Sequence, residues 1–133
     1  MKRAIALAAA ALAHVAGAAA PPSPERPVRV GLAGDDLDAC LSDGEVTGLD
    51  PGGDNFLAVR AVPGTQGRIV HRLGPRHRVH VCEEAGTWLG IVYSPDDPDR
   101  DCNVGSPVPS PQPYDGPCAS GWVAARYVTI VAG

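Results

Sequence analysis

The chain has 133 residues, of which 44% are hydrophobic and 20% charged, so one compact domain is its upper limit and a large multidomain enzyme is excluded. Aromatic residues contribute only 5%, whereas 16 glycines and 14 prolines favour short strands and loops over long helices. The formal net charge of −4 disfavours a binder of nucleic acid or of anionic membranes, because both need a dominant cationic surface.

Residues 1–19 have the order of features found in a secretory signal peptide. Lys2 and Arg3 precede the apolar run 4–13, and small residues follow up to Ala20. We therefore predict cleavage near positions 18–20 and export to a periplasm or to the extracellular space. The apolar run is short and dominated by alanine, so no membrane span is expected in the mature chain.

Four cysteines follow the predicted leader, and an oxidising compartment favours two disulfides among them. Three pairings are possible. We expect Cys102–Cys118, which would close a long proline-rich loop, and Cys40–Cys82, which would tie the front of the domain to a central strand. Zinc is the alternative, but zinc-binding cysteines usually come in close pairs, which this chain lacks.

Residues 20–34 are rich in proline and are predicted to form an extended linker in front of a domain at 35–133. Two Pro-x-x-Pro spacings, which begin at Pro21 and Pro24, leave open that the linker is a ligand for an aromatic groove. Residues 35–54 are acidic and glycine-punctuated, which predicts turns around one short strand at 45–47.

Alternating apolar and polar residues predict short strands in the rest of the chain. The predicted strands are 57–60, 69–73, 78–82, 87–93, 121–123 and 128–131, with a hairpin loop at 83–86 and a tight turn at 124–127. Five or six short strands without a long helix predict an all-β fold closed into a small barrel, because closure removes exposed sheet edges. The inward-facing residues would be Leu57, Val59, Val70, Leu73, Val79 and Val81, in a barrel too small for a cofactor.

The connection at 94–119 is long and contains half of the prolines. Its Pro107-x-Pro-x-Pro-x-Pro113 pattern favours extended polyproline geometry. Two interpretations stay open, a poor strand former held down by a disulfide and a recognition loop on a rigid scaffold.

Several of these segments together resemble a bacterial SH3 domain of the SH3b family. The matching residues lie within 55–128 and are Leu57-Ala-Val-Arg60, Pro63-Gly-Thr65, Gly86-x-Trp88 and Gly121-Trp-Val123 followed by Tyr127-Val128. The resemblance implies a small SH3-like barrel with a long proline-rich insertion, and recognition of cell-wall peptide or of a protein or peptide partner. Two positions depart from the family pattern. Gly67 stands where many members have an aromatic residue, and Arg76 replaces the usual turn glycine.

Aromatic ledges suit extended peptides, so the expected ligand surface combines exposed parts of Tyr93, Trp122 and Tyr127 with the proline-rich loop, which contributes Tyr114. Burial in the core is the alternative for Trp122 and Tyr127. For Trp88, which belongs to the central hairpin, core packing is at least as strongly indicated as ligand contact.

Arg72, Arg76 and Arg78 form a predicted basic patch. It is either a solvated outer face or a contact surface for an anionic glycan or an acidic partner. This patch and the acidic segment 35–54 are the two surfaces considered for a second hypothesis, in which the chain is a secreted, disulfide-stabilised interaction or inhibitor subunit for another exported protein.

Catalytic and metal patterns are weak in this sequence. His80 and Cys82 share a strand face, but the expected disulfide would remove the thiol nucleophile. Asp97, Asp99 and Asp101 alternate as in a calcium loop, yet the glycine and glutamate that such a loop requires are missing. A three-histidine metal site would need His71, His77 and His80 to converge. We therefore predict a non-enzymatic binding module without metal or cofactor.

Overall fold

The computed structural model describes residues 3–13 and 24–133, and within these ranges it contains nine strands and one short 3₁₀ helix. The strands are β1 (Arg29–Val30), β2 (Ser42–Val46), β3 (Leu57–Arg60), β4 (Ile69–Leu73), β5 (Arg78–Ala85), β6 (Trp88–Tyr93), β7 (Gln112–Pro113), β8 (Ala119–Ala124) and β9 (Val128–Ala132). The 3₁₀ helix spans Ala125–Tyr127. The predicted cleavage positions 18–20 and linker residues 20–23 lie outside the described residues. No helix in the two described ranges is long and apolar enough to cross a membrane.

Seven strands form one antiparallel sheet in the order β4-β3-β8-β6-β5-β2-β9, while β1 and β7 pair separately. The all-β prediction is therefore confirmed. The sheet is not closed into a barrel, because β4 and β9 each have a neighbour on one side only. Strand β4 keeps His71 and Arg72 exposed, and polar or charged side chains of this kind protect an open edge against further pairing.

The central hairpin joins β5 and β6, and its turn is tighter than the sequence predicts. The predicted loop at 83–86 is wrong for its first three residues, since β5 continues to Ala85. Gly86 and Thr87 alone make the turn, and Gly86 adopts φ +60°, a left-handed conformation that glycine reaches without a steric penalty.

The main core lies on one side of this sheet. It consists of nine buried residues: Val46, Leu57, Val59, Leu73, Val79, Leu89, Ile91, Tyr93 and Val123. Four of the predicted inward-facing residues belong to it, and the other two, Val70 and Val81, are partly buried against it. Alternation along the strands thus predicted four of the nine buried core residues and two of the residues that pack against them.

A second cluster covers the other face of β6. Val92 points away from the main core and packs into this second cluster, which also contains Val30, Ala39, Cys40, Cys102 and Val104. Disulfides join Cys40 to Cys82 and Cys102 to Cys118, the pairings expected from the sequence, and all four sulfurs lie in or against this cluster. Irregular segments and disulfides therefore provide the layer that a helix provides in many α/β folds.

The N-terminal part of this layer is the segment 24–30, which was predicted to belong to an extended linker. Residues 28–30 are instead packed into the fold, because Val28 and Val30 are buried and β1 pairs with β7. The indole Nε1 of Trp122 donates a 2.7 Å hydrogen bond to the carbonyl oxygen of Arg26. The Glu83 carboxylate accepts hydrogen bonds from the Arg26 guanidinium and the backbone N–H of Arg29. The segment is thus fixed to β5 and β8.

Val28→Ala tests whether this segment is part of the folded unit. Removing two buried methyl groups beside Gly90 should lower the free energy of unfolding by about 1–3 kcal/mol. Val131→Ala, at an exposed position, is the matched control and should change it by less than about 0.5 kcal/mol. Urea unfolding monitored by tryptophan fluorescence measures both, and equal effects would support the linker interpretation instead.

Gly121→Ala tests the close approach of β8 to β3. A methyl group at this buried position would lie 2.5 Å from the Val59 side chain and 3.0 Å from the Arg60 carbonyl oxygen, so the strands must separate. We expect a loss of about 1–3 kcal/mol in the free energy of unfolding. At Gly74 an added methyl group meets no atom within 4 Å, so Gly74→Ala should leave the free energy of unfolding nearly unchanged. Urea unfolding of both variants measures the difference.

Candidate functional site

Two of the aromatic residues predicted to contact a ligand are buried. Trp122 is 0% exposed and Tyr93 is 1% exposed, so neither offers a ledge to an extended peptide. Tyr93 follows Leu89 and Ile91 at spacings of two and belongs to the main core. Trp122 is covered by Arg26, whose guanidinium lies 4.8 Å from the indole centroid. The expectation for these two residues is therefore corrected to a structural role.

Tyr114 is half-buried and fastens the long loop. Its hydroxyl donates to the carbonyl oxygen of Cys102 (2.8 Å) and accepts from the backbone N–H of Cys118 (3.0 Å), which bridges the two ends of the disulfide-closed loop. Burial raises the pKa of the Tyr114 phenol. The proline-rich segment is thus held by its own tyrosine, and it pairs with the N-terminal segment through β7.

Tyr127 is a predicted ligand residue that lines a groove together with other aromatic side chains. It is half-buried, together with Phe56 and Trp88, in a groove of about 350 Å³, here called the Trp88 groove. The remaining groove residues are Leu49, Asp50, Gly53, Asp54, Leu57, Ala58, Arg60 and Ala124. Half-buried aromatic rings combine a large apolar contact area with fixed side chains, which is a frequent basis of peptide recognition.

Two backbone hydrogen bonds place the aromatic residues side by side. The N–H of Ala125 donates to the carbonyl oxygen of Thr87 (2.8 Å), so the 3₁₀ helix meets the β5–β6 turn that precedes Trp88. The N–H of Thr47 donates to the carbonyl oxygen of Tyr127 (2.9 Å), which fixes the other side of the helix. The groove is therefore assembled by the ordered backbone of three separate segments.

Charged side chains of both signs surround the Trp88 groove. Asp50 and Asp54 are exposed in the turn before β3. The Arg72 guanidinium lies 5.3 Å from the Phe56 ring centroid and the Arg126 guanidinium lies 4.8 Å from that of Tyr127. A ligand that carries an amino or guanidinium group would find its counter-charge at the carboxylates.

Gly67, the first departure from the family pattern, lies in a turn with no room for a ring. It is buried, and an added Cβ would lie 2.7 Å from the Val62 side chain and 3.2 Å from that of Arg60. Arg60 also donates to the Gly67 carbonyl oxygen (2.8 Å). The aromatic surface is provided by Phe56 and Trp88, which are not among the predicted ligand residues, and not by a ring at position 67.

The predicted basic patch is divided between two surfaces. Arg72 stands over Phe56 beside the Trp88 groove, whereas Arg76 and Arg78 line a separate cleft. The second departure also lies here, since Arg76 itself adopts φ +65° in the turn before β5.

The three histidines near this patch have different partners. His71 Nδ1 hydrogen bonds to the Tyr93 hydroxyl (2.6 Å), His77 Nε2 to the Ser94 carbonyl oxygen (2.9 Å) and His80 Nδ1 to the Asp43 carboxylate (2.6 Å). They do not converge. Among the described residues, no group of three or more His, Cys, Asp or Glu side chains is arranged to hold a metal ion.

Asp97 and Asp101, part of the pattern compared with a calcium loop, bind the backbone of their own loop. Asp97 accepts from the N–H of Asp99 and Asp101 accepts from the N–H of Asn103. Cys82, the only thiol considered as a nucleophile, is bonded to Cys40.

Comparisons of the chain with models of protein families, with curated proteins and with solved structures find no match.

The burial of Tyr93 predicts a specific loss of stability in alkali. Burial raises the pKa of its phenol above the ordinary value of about 10, so the folded state keeps the proton while the unfolded state releases it. Stability is therefore retained below about pH 10 and falls as the pH rises further. In Tyr93→Phe the free energy of unfolding should fall less steeply between about pH 9 and 11 than in the wild type.

Urea unfolding across this pH range measures the slope. At neutral pH Tyr93→Phe should be less stable than the wild type, because it loses the hydrogen bond to His71. Identical alkaline slopes in both proteins would show that Tyr93 ionises as freely in the folded state as in the unfolded one.

Proposed function

We propose that this chain is an exported, non-enzymatic SH3b-like module that binds an extended peptide, from the cell wall or from an exported protein, in the Trp88 groove. The observation that carries the proposal is the grouping of Phe56, Trp88 and Tyr127 as half-buried rings in one groove with carboxylates at its rim. An extended peptide can cover such a row of rings while its polar backbone stays in contact with solvent.

The placement of the SH3b-like motifs supports this proposal. The Leu57-Ala-Val-Arg60, Gly86-x-Trp88 and Gly121-Trp-Val123 segments lie on β3, on the β5–β6 turn and on β8, which belong to the same sheet. Trp88 is directly opposite Ala124 in the β6–β8 register, next to the 3₁₀ helix that carries Tyr127. Leu57, Trp88 and Tyr127, which the resemblance selects from distant parts of the sequence, line the same groove.

The cysteines support the exported location. All four are paired, and two disulfides are compatible with an oxidising compartment outside the cytosol. The predicted signal peptide, its cleavage position and the linker residues 20–23 remain predictions from the sequence.

The second hypothesis, an interaction or inhibitor subunit that uses the basic patch, has less support. A partner would need one continuous cationic surface, and Arg72 is associated with a different concavity from Arg76 and Arg78. Charge reversal at these three arginines would abolish capture of an exported partner under that hypothesis while leaving wall binding intact.

Binding to peptidoglycan tests the proposed function. Purified protein is sedimented with insoluble sacculi and titrated with soluble wall peptides in ¹H–¹⁵N correlation spectra. Trp88→Ala removes the central ring and should weaken binding at least about tenfold. Asp54→Lys reverses an exposed rim charge without disturbing the core, so it separates loss of binding from loss of folding.

Leu32→Ala and Asp36→Lys are matched controls, because both residues are exposed and neither lines the groove. Both should bind as the wild type does. Undiminished binding by Trp88→Ala and Asp54→Lys would rule out the groove, and the absence of binding to wall fragments and to a library of extended peptides would rule out the function.

A further inference from the structure

A second concavity, of about 530 Å³, lies between the start of β5 and the loop that follows β6. Its lining shares no residue with the Trp88 groove. We call it the Arg76 cleft. Its volume lies within the range of sites that hold small ligands, and nothing in the proposed peptide-binding function uses it.

One wall of the Arg76 cleft is cationic. Arg76 and Arg78 both line it and both are exposed. Within the described residues neither guanidinium forms an ion pair, although Arg78 lies opposite Glu45 in the β2–β5 register. Arg76 holds its position in a left-handed backbone conformation that glycine adopts more easily, which places a long cation at the rim of the cleft.

The other wall is acidic. Asp99 and Asp101 line the cleft from the long loop, are exposed, and form no ion pair with any described residue. The Asp101 carboxylate accepts a 2.8 Å hydrogen bond from the N–H of Asn103, so its position is fixed while its charge is not neutralised. Arg100, between them in sequence, is already paired with Asp96 at 2.7 Å.

Hydrogen bonds and a disulfide hold both walls of the cleft in place. A carbonyl oxygen can only accept, so His77 Nε2 donates to the Ser94 carbonyl oxygen and ties the start of β5 to the end of β6. The Ser94 hydroxyl accepts from the N–H of Asp97 and from the Arg100 guanidinium, which shapes the start of the loop. The Cys102–Cys118 disulfide fixes its end. A site ordered in this way loses little conformational entropy on binding.

The lining of the cleft also includes His80. The Asp43 carboxylate accepts a 2.6 Å hydrogen bond from His80 Nδ1, which fixes the orientation of the imidazole ring.

We propose that the Arg76 cleft binds a zwitterionic small molecule, with its carboxylate at Arg76 and Arg78 and its ammonium group at Asp99 and Asp101. A simple anion would be attracted by the arginines and repelled by the carboxylates. A simple cation would be attracted by the carboxylates and repelled by the arginines. Only a ligand that carries separated charges of both signs satisfies both walls.

The probes are linear ω-amino acids of increasing length, namely β-alanine, γ-aminobutyrate, δ-aminovalerate and ε-aminocaproate, titrated into the ¹⁵N-labelled protein. Saturable shifts of the amides of Arg78 and Asp101 are expected, with one chain length bound best. The alkanoate and the alkylamine of that same length should each bind at least about tenfold more weakly, because each leaves one wall without a counter-charge.

Two variants test the walls separately. Arg76→Gly removes the cation at a position where glycine suits the backbone, and Asp101→Asn removes the charge while its amide oxygen still accepts from Asn103. Each should weaken binding of the best ω-amino acid at least about tenfold without lowering the melting temperature. Arg29→Gln and Asp115→Asn, at exposed positions outside the cleft, should bind as the wild type does.

Three results would overturn the proposal: no saturable shift with any member of the series, equal binding of the alkanoate and the ω-amino acid, or unchanged binding in both cleft variants. Wall-peptide binding at the Trp88 groove is measured on the same samples, so failure at one site is distinguished from failure at the other.

Discussion

Burial of strand β6 on both faces is the constraint around which the rest of the molecule is organised. One face contributes Leu89, Ile91 and Tyr93 to the main core, and the other contributes Val92 to the second cluster. A strand without a polar face requires a covering layer on each side. The chain has few aromatic residues and, at positions 3–13 and 24–133, no long helix. It builds the second layer from irregular segments and holds them with two disulfides.

The two concave surfaces depend on that covering layer to different degrees. The Trp88 groove is formed by the ends of sheet strands and by the 3₁₀ helix, so its rings are positioned mainly by backbone hydrogen bonds. The Arg76 cleft takes one of its walls from the loop closed by Cys102 and Cys118. The long insertion is thus more than a poor strand former, since it contributes half of a concave surface with its own charge pattern.

Sequence alternation predicted much of the fold because each apolar residue on a strand reports which face is covered. It identified β3 without error in its bounds, and four of the nine buried residues of the main core. The same rule places Tyr93 with Leu89 and Ile91, so its burial was accessible from the sequence. Burial was an open alternative for Trp122, but the segment that covers it could not be predicted. Its cover includes Arg26, and the only local signal for that segment is the brief alternation Val28-Arg29-Val30 among prolines. The charge arrangement in the Arg76 cleft depends in the same way on bringing distant segments together.

The hydrogen bond between Trp122 and Arg26 connects positions 96 residues apart. A contact of this span has a consequence for how the native state is reached, since the entropy of closing so large a loop is lost before any packing compensates for it. This bond to the segment at 24–30 can form only once β8 is in place, although Glu83 on β5 also binds the same segment through Arg26 and Arg29. In small domains, contacts between residues so far apart in sequence slow folding more than chain length does.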